Sequence, residues 1–173
     1  EGLYWLATEN SFEIVFINDE GKIEIKANTQ QPADYTIKGS NTSIQLTNFL
    51  KEYRRKDSSL FSTLYSLDAL QKQNGKDSSI AWLQNQRTLK INDLNQLVLQ
   101  NIKSNNNPAF LYYALGISIR SMEASQVLTL AKEVAERTKA QPLINFANSL
   151  QSQLQTASAD NKIAVGSMAP DFT

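Results

Sequence analysis

Carboxylates are the side chains of this sequence best suited to acid–base chemistry, because its 173 residues include no His and no Cys. Histidine is the commonest general base and metal ligand, and thiol nucleophiles, disulfides and zinc–sulfur sites all need cysteine. Asp19 and Glu20 are adjacent, but Gly21 follows them, so turn chemistry explains the pair better than catalysis. Capping and solvation explain three further carboxylates on or near predicted helix surfaces and ends: Asp57, Asp68 and Asp77. We therefore predict no catalytic residue, no cofactor-binding residue and no metal ligand in this chain.

One basic cluster contains an aromatic residue. Lys51, Arg54, Arg55 and Lys56 surround Tyr53. Such a cluster can bind an anion or a nucleic acid, but the chain has 17 basic and 17 acidic residues and no net charge. Nucleic-acid binders usually carry a basic surplus. We therefore interpret the cluster as a solvated helix face and predict no nucleic-acid partner.

Aromatic residues form two groups. The first lies on predicted strands, and its members are Tyr4, Trp5, Phe12, Phe16 and Tyr35. These side chains could line an apolar pocket, but aromatics on strands more often fill a core or a cross-strand face. The second group is Phe110, Tyr112 and Tyr113 on a predicted helix. Core packing is expected for Phe110, whereas one tyrosine must point elsewhere, to a partner surface or to solvent, because helix neighbours do not share a face.

The first forty residues are predicted to form antiparallel strands. Apolar residues alternate with polar ones on both sides of Asp19–Gly21, which indicates a hairpin across that turn. Residues 30–34 are predicted as a loop, with a last short strand at Tyr35–Ile37. We expect this part to begin inside a strand, with its front edge missing.

From Asn41 onward the apolar residues recur with a helical period, and five helices are predicted. Asn74–Gly75 would close the first helix and Ser78 or Ser79 would cap the second. The third helix is expected to start at Pro108 and the fourth to span 121–139. The fifth is expected to start at Gln141–Pro142.

Strands followed by helices indicate an α+β fold. We predict a short antiparallel β-sheet, as a partial β-sandwich, over residues 1–40. A compact antiparallel bundle of about five helices would follow over 41–157. Residues 158–173 are expected to be a linker and the start of a further domain. No apolar run approaches the roughly 20 residues that a membrane-spanning helix needs.

The carboxyl-terminal sequence VGSMAPDFT, Val165–Thr173, resembles the opening of thioredoxin-like modules. These belong to the alkyl hydroperoxide reductase/thiol-specific antioxidant (redoxin) and TlpA-like families. The matching residues are Gly166, Ala169, Pro170, Asp171 and Phe172.

The preceding residues are similar to the β-rich and helical region, of unknown function, that often precedes such a module in envelope thiol-disulfide oxidoreductases. The matching segments are Gly2–Leu6, Gly21–Ala27, Tyr35–Ser40 and Asn107–Leu115. The resemblance implies a Cys-x-x-Cys site some tens of residues beyond Thr173, whose first thiolate attacks a substrate disulfide. It also implies a location in the periplasm or outer cell envelope.

Two functions follow as hypotheses. The first is a non-catalytic amino-terminal accessory module of a thiol-disulfide oxidoreductase. Its partners would be the downstream thioredoxin-like domain of the same chain, which it positions or dimerises, and a second copy in a homodimer. The alternative is a small-ligand or peptide-binding module of the cell envelope without a redox role, with the ligand held by the β part. In both hypotheses this stretch is not itself an enzyme.

Overall fold

The structure, a computed structural model, describes residues 2–7, 13–28, 31–73 and 76–160. Four strands precede five helices, as the α+β prediction required. The strands are β1 (Gly2–Ala7), β2 (Glu13–Asn18), β3 (Glu24–Asn28) and β4 (Gln31–Lys38). The helices are α1 (Asn41–Lys72), α2 (Asp77–Ser104), α3 (Pro108–Ser118), α4 (Ala124–Thr138) and α5 (Gln141–Asp160). Predictions for Phe12, for Asn74–Gly75 and for the tail from 161 onward lie outside the described residues.

The described strands are antiparallel, as predicted, but they form two separate pairs whose partners differ from the predicted hairpin. β1 pairs with β2, placing Tyr4 opposite Phe16, and β3 pairs with β4. The predicted hairpin across Asp19–Gly21, between β2 and β3, is therefore wrong. The edge of β2 that would have paired with β3 contacts helix α1 instead. There the backbone N–H and C=O of Ile17 both form hydrogen bonds with the hydroxyl of Ser43.

Strand β4 begins at Gln31, so the loop predicted for residues 30–34 is also wrong from that residue onward. The turn residues Pro32 and Asp34 suggested a loop. Proline has no backbone N–H to donate, so it is tolerated on a strand edge that has no neighbouring strand. Strand β4 has such an edge, because among the described strands it pairs with β3 alone. A register shift at Ala27 and Asn28 accommodates the pairing of Asn28 with Gln31.

The helix starts follow capping chemistry in two cases. The side chain of Ser40 accepts a hydrogen bond from the N–H of Ser43 at the start of α1. The Asn107 side chain accepts from the N–H groups of Ala109 and Phe110, and Pro108 occupies the first turn of α3 as predicted.

Two other helix starts differ from the prediction. Helix α2 begins at Asp77, so Ser78 and Ser79 lie inside its first turn rather than capping it. Helix α4 begins at Ala124 instead of 121, because the N–H groups of Ser121 and Met122 both bond to the carbonyl of Ser118 and close a turn after α3.

The core joins the two parts of the chain. Val15 and Ile17 of β2 lie in one hydrophobic cluster with buried residues from all five helices. Ile14, on the opposite face of β2, packs in a smaller cluster with Tyr35 and Ile37 of β4. Strand β2 is thus covered on one face by the helices and on the other by the β3–β4 pair. Within the described residues, no helix is long and apolar enough to cross a membrane.

Candidate functional site

Asp19 lies at the amino-terminal end of α1, where it stabilises the helix start. Burial raises the pKa of its carboxyl, but the polar groups of Ser40 and Thr42 and nearby backbone N–H groups outweigh burial and lower the pKa from 3.8. Its Oδ1 atom is buried without a hydrogen-bond partner among the described residues. Because the folded pKa is the lower one, this contribution to stability is present above pH 3.8 and is lost as the pH falls through the folded pKa. Its neighbour Glu20 is exposed.

The other three candidate carboxylates lie apart from one another. Asp68 pairs with Lys72 one turn later, with 2.7 Å between the charged atoms. Asp77 occupies the first turn of α2, where the helix dipole favours an acidic residue. Asp57 lies 3.7 Å from Arg120. Within the described residues no three acidic side chains are grouped so that they could hold a metal ion.

The basic cluster divides into two sets of residues. Arg55 forms a bidentate ion pair with Glu52, and Lys56 contacts both Glu52 and Asp93. The hydrogen bond from Arg55 is the main cause that lowers the pKa of Glu52 to about 2. These pairs agree with the solvated helix face that we predicted. Lys51 instead lies 5.9 Å from the ring centroid of Tyr35.

Among the described strand aromatics, the side chains do not surround a common pocket. Tyr4 and Phe16 stack across the β1–β2 pair with their ring centroids 5.7 Å apart. Trp5 is 56% exposed, and Tyr35 is buried in the other sheet. Tyr4 and Phe16 therefore form a cross-strand contact, and Tyr35 fills a core, as expected for aromatics on strands.

The helix aromatics separate as expected. Phe110 is buried, with its ring centroid 5.6 Å from that of Phe49. Tyr112 is exposed and meets Phe146 edge-on. Tyr113 is partly buried, which raises the pKa of its phenol. The two adjacent tyrosines thus lie in different environments.

One cleft combines apolar and charged side chains. It lies between α1, α2 and the connection formed by residues 119–123, and its volume is about 370 Å³, within the usual range for small-molecule sites. Its lining residues are Tyr53, Arg54, Asp57, Ser58, Leu60, Phe61, Leu64, Leu94, Arg120 and Ser121.

Tyr53 contributes an unpartnered polar group to this cleft. The residue is only 4% exposed, and its hydroxyl oxygen is buried with no hydrogen-bond partner among the described residues. Leaving such a group unsatisfied costs about 1–3 kcal/mol. Burial is the main cause that raises the pKa of the phenol, on which Arg120 and Asp57 also act electrostatically. The hydroxyl is thus protonated at neutral pH, in a residue that lines the same cleft as both charged groups.

The connection that carries Arg120 is fixed to α2. The side-chain amide of Asn95 donates to the carbonyl of Ser121, and the hydroxyl of Ser121 donates back to Asn95 at 2.6 Å. This reciprocal pair holds the backbone next to Arg120 in place. The side chain of Arg120 is 64% exposed, and the 3.7 Å separation of its guanidinium from the Asp57 carboxylate exceeds the usual length of a charged hydrogen bond.

Sequence reasoning did not identify this cleft. In the sequence, Tyr53 and Arg54 belong to the basic cluster, Tyr53 also fits the apolar period of the first helix, and Asp57 is interpreted as a helix-surface carboxylate. Arg120 has no local signal, because it follows a helix in a turn and belongs to no motif. The single signal was the i, i+4, i+7 and i+11 spacing of Tyr53, Asp57, Leu60 and Leu64, which places these residues along one side of α1.

Comparison with known proteins finds no relative of this chain. The chain matches no known family model. No curated protein and no solved structure matches it either. The resemblance to thioredoxin-like proteins is therefore carried by the sequence motifs alone.

Proposed function

We propose that this chain is the non-catalytic amino-terminal accessory module of an envelope thioredoxin-like thiol-disulfide oxidoreductase. The observation that carries the proposal is the sequence Gly166–Phe172, with its Pro-Asp-Phe, placed after an α+β body in the same order as in such proteins. In this proposal the downstream domain supplies the two cysteines, and the present residues position that domain or dimerise it. The location would be the periplasm or outer envelope.

The course of α5 supports a positioning role. Leu143, Ala147 and Leu150 anchor this helix in the core. Helix α5 packs against α4, to which only Lys139 and Ala140 connect it, so the two helices are antiparallel. The carboxyl end of α5 therefore lies toward the amino end of α4. A domain that follows α5 would begin from a helix fixed in the core.

Disulfide reduction by two purified proteins tests this proposal. Residues 1–173 alone should not accelerate insulin reduction, because they contain no thiol with which to form a mixed disulfide. The product of the complete gene should accelerate it, and replacing both cysteines of its Cys-x-x-Cys segment by serine should abolish the effect.

Deleting residues 2–157 from the complete product separates positioning from chemistry. The shortened protein should keep most of its insulin reduction but lose self-association or activity toward a large protein substrate. Reduction by residues 1–173 alone, or an inactive complete product, would overturn the proposal.

The alternative, a small-ligand-binding module without a redox role, is favoured by one observation. The cleft at Tyr53 has the volume and the mixture of apolar and polar lining expected of a ligand site. It lies in the helical part of the chain and not among the strand aromatics.

A further inference from the structure

The polar end of the cleft contains a buried hydrogen-bond donor without an acceptor. The Tyr53 hydroxyl has no partner among the described residues, although more than nine-tenths of the residue is buried. Its phenol is protonated at neutral pH, since the ordinary pKa of 10.0 lies well above 7 and burial raises this pKa further. The group therefore suits a ligand that brings a hydrogen-bond acceptor.

The charge of the lining favours an anionic acceptor. Two guanidinium groups, of Arg54 and Arg120, border the cleft against the single carboxylate of Asp57. No carboxylate among the described residues lies within ion-pair distance of Arg54, and Arg120 is 3.7 Å from Asp57. A planar guanidinium binds a carboxylate through two parallel N–H donors, so Arg120 can donate hydrogen bonds to a second carboxylate beside Asp57.

The other end of the cleft is apolar. Leu60 and Leu94 are buried beneath it, whereas Phe61 is 68% exposed and Leu64 is 39% exposed. From Tyr53 to Leu64 the helix rises about 16 Å, enough for an extended chain of roughly ten heavy atoms. The exposed surface of Phe61 and Leu64 would be covered by such a ligand.

We propose that this cleft binds a small monocarboxylate with an extended apolar body, such as a medium-chain fatty acid. Arg120 and Arg54 contact the carboxylate, the Tyr53 hydroxyl donates a hydrogen bond to it, and Leu64 and Phe61 cover the apolar body. This binding site does not depend on the proposed accessory function, because it uses no residue of a downstream domain.

Calorimetric titration with octanoate and octylammonium tests the site. The two probes share an eight-carbon chain and differ in charge, so the cleft should bind octanoate at least tenfold more tightly. Equal affinity for both probes, tighter binding of octylammonium, or no binding of octanoate would overturn the proposal.

Two pairs of variants locate the binding. Arg120→Gln and Tyr53→Phe should each weaken octanoate binding at least fivefold. The matched controls, Arg87→Gln on α2 and Tyr65→Phe on α1, remove the same groups from exposed positions outside the cleft lining and should bind like the parent protein.

Thermal unfolding separates binding from folding. Without ligand, Tyr53→Phe should unfold at the same or a higher temperature than the parent protein, because it keeps the buried ring and removes only the unpartnered hydroxyl. Unchanged octanoate binding by both Arg120→Gln and Tyr53→Phe would show that octanoate binds elsewhere and would overturn the assignment.

Discussion

Replacing Gly39 by alanine is expected to destabilise the protein by about 3 kcal/mol. Gly39 has a φ of +87°, a backbone conformation that residues with a side chain rarely adopt. An added Cβ would also overlap the backbone carbonyl oxygen of Lys22 and lie 3.3 Å from its carbonyl carbon. For a chain of 173 residues the loss corresponds to a decrease in melting temperature of roughly 6–12 °C.

The matched control is Gly116→Ala. Gly116 lies inside α3, and no heavy atom outside its own helical neighbourhood lies within 4 Å of the Cβ position. Alanine there should stabilise the protein by about 0.5–1 kcal/mol, because glycine is the weaker helix former. Calorimetric unfolding of both variants measures the contrast. Equal melting temperatures for the two variants would show that the backbone at Gly39 is not constrained as described.

Ser43→Ala is the second substitution with a large expected effect, a loss of about 2–3 kcal/mol. The Ser43 hydroxyl accepts from the N–H of Ile17 at 2.9 Å and donates to its carbonyl at 2.8 Å. Ile17 is completely buried, so removing the hydroxyl leaves its N–H without an acceptor. The carbonyl keeps a longer bond from Ser40 at 3.4 Å.

Ser66→Ala is the matched control for this substitution. Ser66 lies on the same helix, is exposed, and bonds only to the carbonyl of Ser62. Its removal should change the free energy of unfolding by less than about 0.5 kcal/mol. Amide hydrogen exchange measures the local effect. The Ile17 amide should exchange faster in Ser43→Ala than in the parent protein, and Ser66→Ala should leave its exchange unchanged. Unchanged exchange at Ile17 would contradict the role of Ser43 at the edge of β2.

The helical part of the fold could be predicted from the sequence because its signals are local. The apolar period, Asn107 before Pro108, and the break at Gln141–Pro142 each lie within one or two turns of the structure that they determine. The predicted starts of α2, at Ser78, and of α4, at 121, were wrong. Each start depends on which nearby group completes the turn. At 121 that group is the carbonyl of Ser118.

The pairing of the strands could not be predicted in the same way. Alternation identified β2 and β3 as strands, but pairing depends on distant residues. Ser43 lies 26 positions beyond Ile17 and occupies the edge to which β3 would have been joined. The cleft could not be predicted for the same reason, because Arg120 lies far along the chain from Asp57 and comes within 3.7 Å of it only in the folded structure.

The sequence of the reading frame beyond Thr173 tests the proposed function most directly. The accessory-module proposal predicts that the next hundred or so codons encode a thioredoxin-like domain with a Cys-x-x-Cys segment following a tryptophan. A stop codon soon after Thr173, or a downstream domain without that cysteine pair, would contradict the proposal.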